Sequence, residues 1–173
     1  NRPDSLNRAF AALKFLFHRC GRRDPLHIAT ADVKSAFRSL GVKPSTDGTG
    51  RVGVISPVDG SLMTAQLVGL PFGSRASPLA FARVTECMKH ILRSLASAAI
   101  YCYVDDFFLC EPASSCTSGL KALKDLAKCI GIELDPMKEQ SPGPKCKLLG
   151  ALVTISGGSV TVRISEQKRL KYM

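Results

Sequence analysis

The chain has no Cys-x-x-Cys pair and no cysteine with a histidine partner at zinc-ligand spacing, which excludes the common structural zinc modules. Its seven cysteines, Cys20, Cys87, Cys102, Cys110, Cys116, Cys129 and Cys146, are odd in number and scattered. Such spacing predicts reduced, partly buried thiols and an intracellular protein, cytoplasmic or nuclear rather than secreted. No run of 18 apolar residues occurs, and the longest candidate, Leu95 to Val104, stops at two acids. No membrane span is expected. The first residues carry Arg2, Asp4 and Arg8 where a secretory leader would be apolar. Acids are also scarce, with 14 Asp and Glu against 24 Lys and Arg and a formal charge of +10. That balance points to a polyanionic partner, although a basic surface chosen for solubility has the same sum. There is no internal repeat and no second domain boundary in the 173 residues. This length suits one core that buries about 70% of the surface of the unfolded chain.

What is present reads as alternating helices and hairpins. Asp4 or Ser5 caps a helix with a stripe of Leu6, Phe10, Leu13 and Phe17, ended by Gly21. Leu26 to Val33 (LHIATADV) reads as a buried strand carrying one acid, Asp32. A flexible Gly, Pro, Ser and Thr stretch covers 41–53, and 51–57 with 62–68 form a hairpin around Asp59-Gly60. After the loop LVGLPFGSRASP, Ser77 is expected to cap a helix starting at Pro78. Its stripe of Phe81, Val84, Met88, Ile91 and Leu95 faces the core, with Arg83, Lys89 and Arg93 away from it. A Pro and Ser loop leads to a further helix with Leu120, Leu123, Leu126 and Ile130, stopped by Gly131. Leu148 to Ile155 and Val160 to Ile164 close a hairpin around Gly157-Gly158. The expected class is α+β, an antiparallel sheet with helices packed on one face.

Residues 101–110 read YCYVDDFFLC, which predicts strand, two-residue turn and strand with Asp105 and Asp106 at the tip. Primed hairpin turns favour Asn-Gly or Asp-Gly, so Asp-Asp suits the backbone poorly. Two carboxylates about 6 Å apart at an effective dielectric of about 20 also repel by roughly 3 kcal/mol. A hard divalent cation would convert that repulsion into ligation. The plainer alternative is a solvated tip that blunts a sheet edge. In a regular strand Asp106 would point away from the face of Asp105, which ranks it as a secondary ligand.

Three segments stand in a telling order: ADVKSAF at 31–37, LPFGSRASPLAF at 70–81 and YVDD at 103–106. Together they resemble the first three motifs of a reverse transcriptase palm, in the LPFG form of retrotransposon and pararetrovirus enzymes. GIELDPMKEQ resembles the fourth motif and KLLGALV the primer grip. The resemblance implies a ferredoxin-like palm with part of the fingers, a single domain over 1–173, and thumb entry from about 156. It implies an RNA-directed DNA polymerase, a nucleotidyltransferase that adds deoxynucleoside triphosphates to a primer on an RNA or DNA template. Two magnesium ions, or manganese, would be held about 3.5 to 4 Å apart by Asp32, Asp105, Asp106 and the Val33 carbonyl.

By the same resemblance, Phe37 excludes a ribose 2′-hydroxyl, and Phe72, Gly73, Arg75 and Lys138 bind the incoming nucleotide. Tyr103, Ser77, Pro78, Leu149 and Gly150 would contact primer or template. Each has a bland reading as core, cap or surface residue. Further polyprotein domains, an RNase H, integrase or recombinase, are expected as partners, and the isolated segment is expected to polymerise poorly. The alternatives are an inactive relic that only binds nucleic acid and, third, a metal-dependent nuclease. No RRM aromatic signature supports the relic, and no His or Lys general base accompanies the acids for the nuclease. Viral RNA polymerases on the same palm usually carry Gly-Asp-Asp, whereas this chain has YVDD with Phe37.

Overall fold

The structure is a computed structural model that describes residues 6–19, 24–43, 50–156 and 159–164. The expected cap at Asp4 or Ser5, the stop at Gly21, the Gly157-Gly158 turn and residues 44–49 of the 41–53 connection lie outside the described residues, as does the expected thumb entry beyond 164.

The order is α1 (Leu6–Arg19), β1 (Leu26–Val33), a 3-10 turn (Ala36–Ser39), β2 (Arg51–Ile55), β3 (Leu62–Gln66) and α2 (Ala76–Leu95). Then come β4 (Ile100–Tyr103), β5 (Asp106–Pro112), α3 (Ala113–Cys129), β6 (Leu134–Gly143), β7 (Lys145–Leu148), β8 (Ala151–Ser156) and β9 (Ser159–Ile164). An antiparallel sheet runs β4-β5-β1-β6, beside a β2-β3 hairpin and a β7-β8-β9 sheet. The fold is α+β, as the mixed pattern of helices and hairpins predicts.

β1 shows no polar alternation because both of its faces are covered: every residue but His27 is buried. On one face Ala29, Ala31, Val33, Phe107 and Leu109 pack against Phe81, Met88 and Leu92 of α2 and Leu120, Leu123 and Ala127 of α3. On the other, Leu26, Ile28, Phe108 and Cys110 meet Leu13 of α1 and Cys146, Leu148 and Val153 of the β7-β8 sheet. The acid-bearing end of β1 is therefore clamped between two cores.

Several local expectations are corrected. Lys89, placed on the outer face of α2, is 2% exposed and ion-paired to Glu86 at 2.7 Å. A charge buried this deeply is tolerated because it is paired. Leu95, placed on the stripe, is exposed as the last residue of α2, and Ile130 is exposed at the C-cap of α3. α2 starts at Ala76, so Ser77 is not its cap; the Ser77 hydroxyl instead donates to the Pro71 carbonyl at 2.7 Å, tying the LPFG loop to the helix. α3 absorbs the expected Pro-Ser loop by starting at Ala113, whose N–H is taken by the Pro25 carbonyl at 2.7 Å. The 148–155 strand is broken by a turn at Leu149 and Gly150, both at positive φ (48° and 79°), which creates the separate strands β7 and β8.

Leu123 is fully buried where α3 meets the sheet. Leu123→Ala should destabilise the chain by about 3 kcal/mol, read as a shift of the urea midpoint with an unchanged slope.

Candidate active site

The site begins with register. β1 pairs β5 so that Asp32 stands directly opposite Asp106, and β4 pairs β5 so that Tyr103 faces Asp106. The hairpin turn is thus made by Val104 and Asp105, not by Asp105 and Asp106 as expected. Asp106 is the first residue of β5, and residues directly opposite on antiparallel strands project to the same face. Its rank as a secondary ligand rested on regular strand alternation with Asp105, which the turn interrupts. Val104 takes a left-handed conformation (φ 58°), costly for a β-branched residue. Two contacts hold it there: Cys102 Sγ donates to the Val104 carbonyl at 3.4 Å, and the Val33 N–H donates to the Asp105 carbonyl at 3.1 Å.

One carboxylate oxygen from each of Asp32, Asp105 and Asp106 lies within 4.8 Å of the others. Asp32 is 6% exposed and the other two are half-buried. Burial, with a hydrogen bond that its protonated form donates to Asp32 and the charges of Asp105 and Asp32, pushes the Asp106 carboxyl up to about 6. Burial also raises Asp105, aided by the Asp32 charge, while its backbone hydrogen bond and Lys138 pull it down. Closely set carboxylates that resist ionising together are relieved by a cation. Three hard oxygen donors from rigid backbone suit magnesium or manganese rather than a soft metal.

Lys138 completes the group. Its Nζ donates to Asp32 Oδ2 at 2.7 Å, and this bond, with the Asp32 charge, raises its pKa. β6 brings it there through an irregularity: Thr30 pairs with Gln140 but Asp32 with Asp135, so two residues of β1 span five of β6. Gln140 anchors that bulge, its side-chain amide donating to Thr30 Oγ1 and the Lys147 carbonyl and its Oε1 accepting from the Lys147 N–H, each at 2.8 Å. Reading the sequence missed both the Lys138–Asp32 pair and Gln140, because a bulge containing Pro136 hides the strand periodicity.

The other expected site residues fall into separate groups. Leu149 lines a cavity of about 60 Å³ with Asp32, Asp106 and Lys138, and Gly150 follows it in the turn. Phe37 is half-buried, with its ring edge-on to Phe72 (5.3 Å) and Phe81 (5.9 Å). Phe72 itself is 68% exposed, with the Arg38 guanidinium 5.8 Å over its ring. Gly73 has φ +87° in open space, and Arg75, Pro78 and Tyr103 are exposed. Val33 sits beside Asp32 with its N–H committed to the turn.

The family model described as reverse transcriptase (RNA-dependent DNA polymerase) matches residues 11–153. The chain belongs to the reverse transcriptase family. Among solved structures it is similar to a foamy viral protease-reverse transcriptase in complex with an RNA/DNA hybrid, at 18% identity and a TM-score of 0.64. That likeness covers 84% of this chain and 18% of the other. A foamy viral protease-reverse transcriptase dRH in complex with double-stranded DNA matches at the same identity and TM-score, with 23% of its chain covered. At this identity the likeness is one of fold, and the chain spans less than a quarter of either reverse transcriptase. No curated protein matches the chain. Among the described residues no helix is long and apolar enough to cross a membrane.

The raised Asp106 has a thermodynamic consequence. Its folded value of about 6 exceeds the ordinary 3.8, so the metal-free fold is favoured in full below about pH 4, and that contribution is lost as pH rises through about 6. Urea midpoints measured in chelator should fall across pH 4–6 more steeply in the unaltered chain than in Asp106→Asn.

Proposed function

We propose that this chain is the palm-centred part of an RNA-directed DNA polymerase from a retrotransposon or pararetrovirus-like element. It would act on a primer annealed to an RNA or DNA template and on deoxynucleoside triphosphates. The observation that carries this reading is the meeting of Asp32, Asp105 and Asp106 within 4.8 Å from two distant chain segments, in a chain of the reverse transcriptase family. The excess of 24 basic over 14 acidic residues suits the polyanionic partner.

The reaction joins a primer 3′-hydroxyl to an α-phosphate and releases pyrophosphate. Asp32, Asp105 and Asp106, with the Val33 carbonyl, would hold two divalent ions, which when bound supply Lewis-acid stabilisation of the attacking and departing oxygens. Placement of these acids on paired strands and a pinned turn keeps the donors fixed. Lys138, already among the acids, is suited to neutralise or protonate the leaving pyrophosphate. Phe37 is held by Phe72 and Phe81 as a rigid wall under the sugar, excluding a 2′-hydroxyl by size. Gly73 and Arg75, with Pro78 in the first turn of α2, would receive phosphate or template backbone, while buried Ser77, bonded to Pro71, would hold their loop. Tyr103, which faces Asp106 across the hairpin, and the Leu149-Gly150 turn, which begins at the small cavity beside Asp32, would contact the primer. A single domain over 1–173 with thumb entry near 156 belongs to the same reading, as do RNase H, integrase or recombinase domains elsewhere in the polyprotein.

Primer extension by the intact protein tests this. Asp32→Asn or Asp105→Asn should lower it by at least about a hundredfold, since even outer partners of metal ligands commonly cost 10- to 100-fold. No extension by the unaltered intact protein would leave the inactive relic as the better account, and unchanged extension in both variants would remove these acids as the metal site. Phe37→Ala should raise incorporation of ribonucleotides relative to deoxynucleotides, scored by alkaline cleavage of the product; an unchanged ratio removes its role as the sugar wall.

A further inference from the structure

The ammonium of Lys138 lies on the acid that would be a metal ligand. Its bond to Asp32 Oδ2 is 2.7 Å, and its charge also reaches Asp105 and lowers the pKa of Asp106. A cation and Lys138 would therefore compete for the same carboxylate. The two ends of this pair differ: the Lys138 side chain is 62% exposed, whereas that of Asp32 is 9% exposed. The acid is fixed in the clamped strand, and the lysine can leave into water without burying its charge.

The bulge of β6 is built to permit that departure. Around Lys138 it is fastened at three points: the Asp135 carboxylate accepts the Met137 N–H at 3.0 Å, Glu139 pairs with Lys124 at 3.0 Å, and Gln140 is bonded to Thr30 and Lys147. Lys138 thus swings on an anchored backbone. Asp135 stands opposite Asp32 in the pairing of β6 with β1, and its charge also acts on Lys138, so a second acid is close when the first is taken.

We propose that Lys138 is the internal counter-ion of the metal-free site, occupying Asp32 until a divalent ion displaces it, and that this exchange releases the lysine towards the phosphates only once the site is loaded. This rests on the metal-binding reading above and adds an order of events to it. Lys138 here is a positioning group for Asp32, and the proposal is read by binding rather than turnover. A lysine that leaves as a divalent cation arrives takes away part of the positive charge that the cation brings to the acid cluster.

Manganese binding to the full chain, followed by electron paramagnetic resonance, tests the exchange. Lys138→Met should bind manganese at least about threefold tighter than the unaltered chain, the span expected when a partly exposed ion pair no longer competes. Lys147→Met, which removes a charge from the same small cavity without a bond to Asp32, should change affinity by less than about twofold. In the chain with 13C-methylated lysines, the Lys138 resonance should shift with magnesium at the concentration that loads the site. Equal manganese affinity in Lys138→Met and the unaltered chain, a shift in affinity matched by Lys147→Met, or a Lys138 resonance that stays still while the site fills, each overturns the displacement and leaves the metal site standing. No manganese binding by any of the three proteins overturns the metal site itself and the exchange with it.

Discussion

The alignment of β1 with β5 is the constraint on which the rest depends. It places Asp32 across from Asp106, and because side chains alternate along a strand, a slip by one residue would carry one acid to the opposite face and leave the other alone. The slip is opposed on both sides of the sheet. Ala29, Ala31 and Val33 are committed to the α2-α3 core, and Leu26 and Ile28 to the core beneath α1 and β7-β8. The apolar residues between the ends of β1 thus serve the acid at its tip, since displacing them would empty two cores at once. This is also why the strand reads as a near-continuous apolar run with a single carboxylate.

The acids themselves work against folding in the absence of a cation. Bringing Asp105 and Asp106 beside Asp32 half-buries two carboxylates and holds one of them protonated up to about pH 6. Such an arrangement persists only where the surrounding structure over-determines it. Here the determinants are the pinned turn, the paired strands and the Lys138 ammonium. The polymerase reading accounts for a cluster that stability alone would disfavour.

Much of this was legible in the sequence. Apolar stripes located α2 and α3, the lone acid in LHIATADV marked the end of β1, and the Asp-Asp pair between aromatic runs marked the hairpin. What could not be read was what depends on pairing across the sheet. The turn moved back by one residue because Asp106 is needed as a strand residue opposite Asp32, a demand set by β1, more than 70 residues away. Ser77 was expected as a cap because its local context suits one; its hydroxyl is taken instead by Pro71, a tertiary choice. The strand β6 was hidden for a similar reason. Its register is set by Gln140 and the demands of Asp32 rather than by alternation within DPMKEQ.

Val104 carries a further consequence. A non-glycine residue in a left-handed turn is tolerable only where its neighbours hold it, and Cys102 and Val33 do so for one alignment of the two strands. Sliding the hairpin would transfer the unfavourable backbone angles to Tyr103 or Asp105 and strip away both supports. The turn therefore acts as a mechanical detent: the same local discomfort that makes valine an odd choice there locks the hairpin against drift.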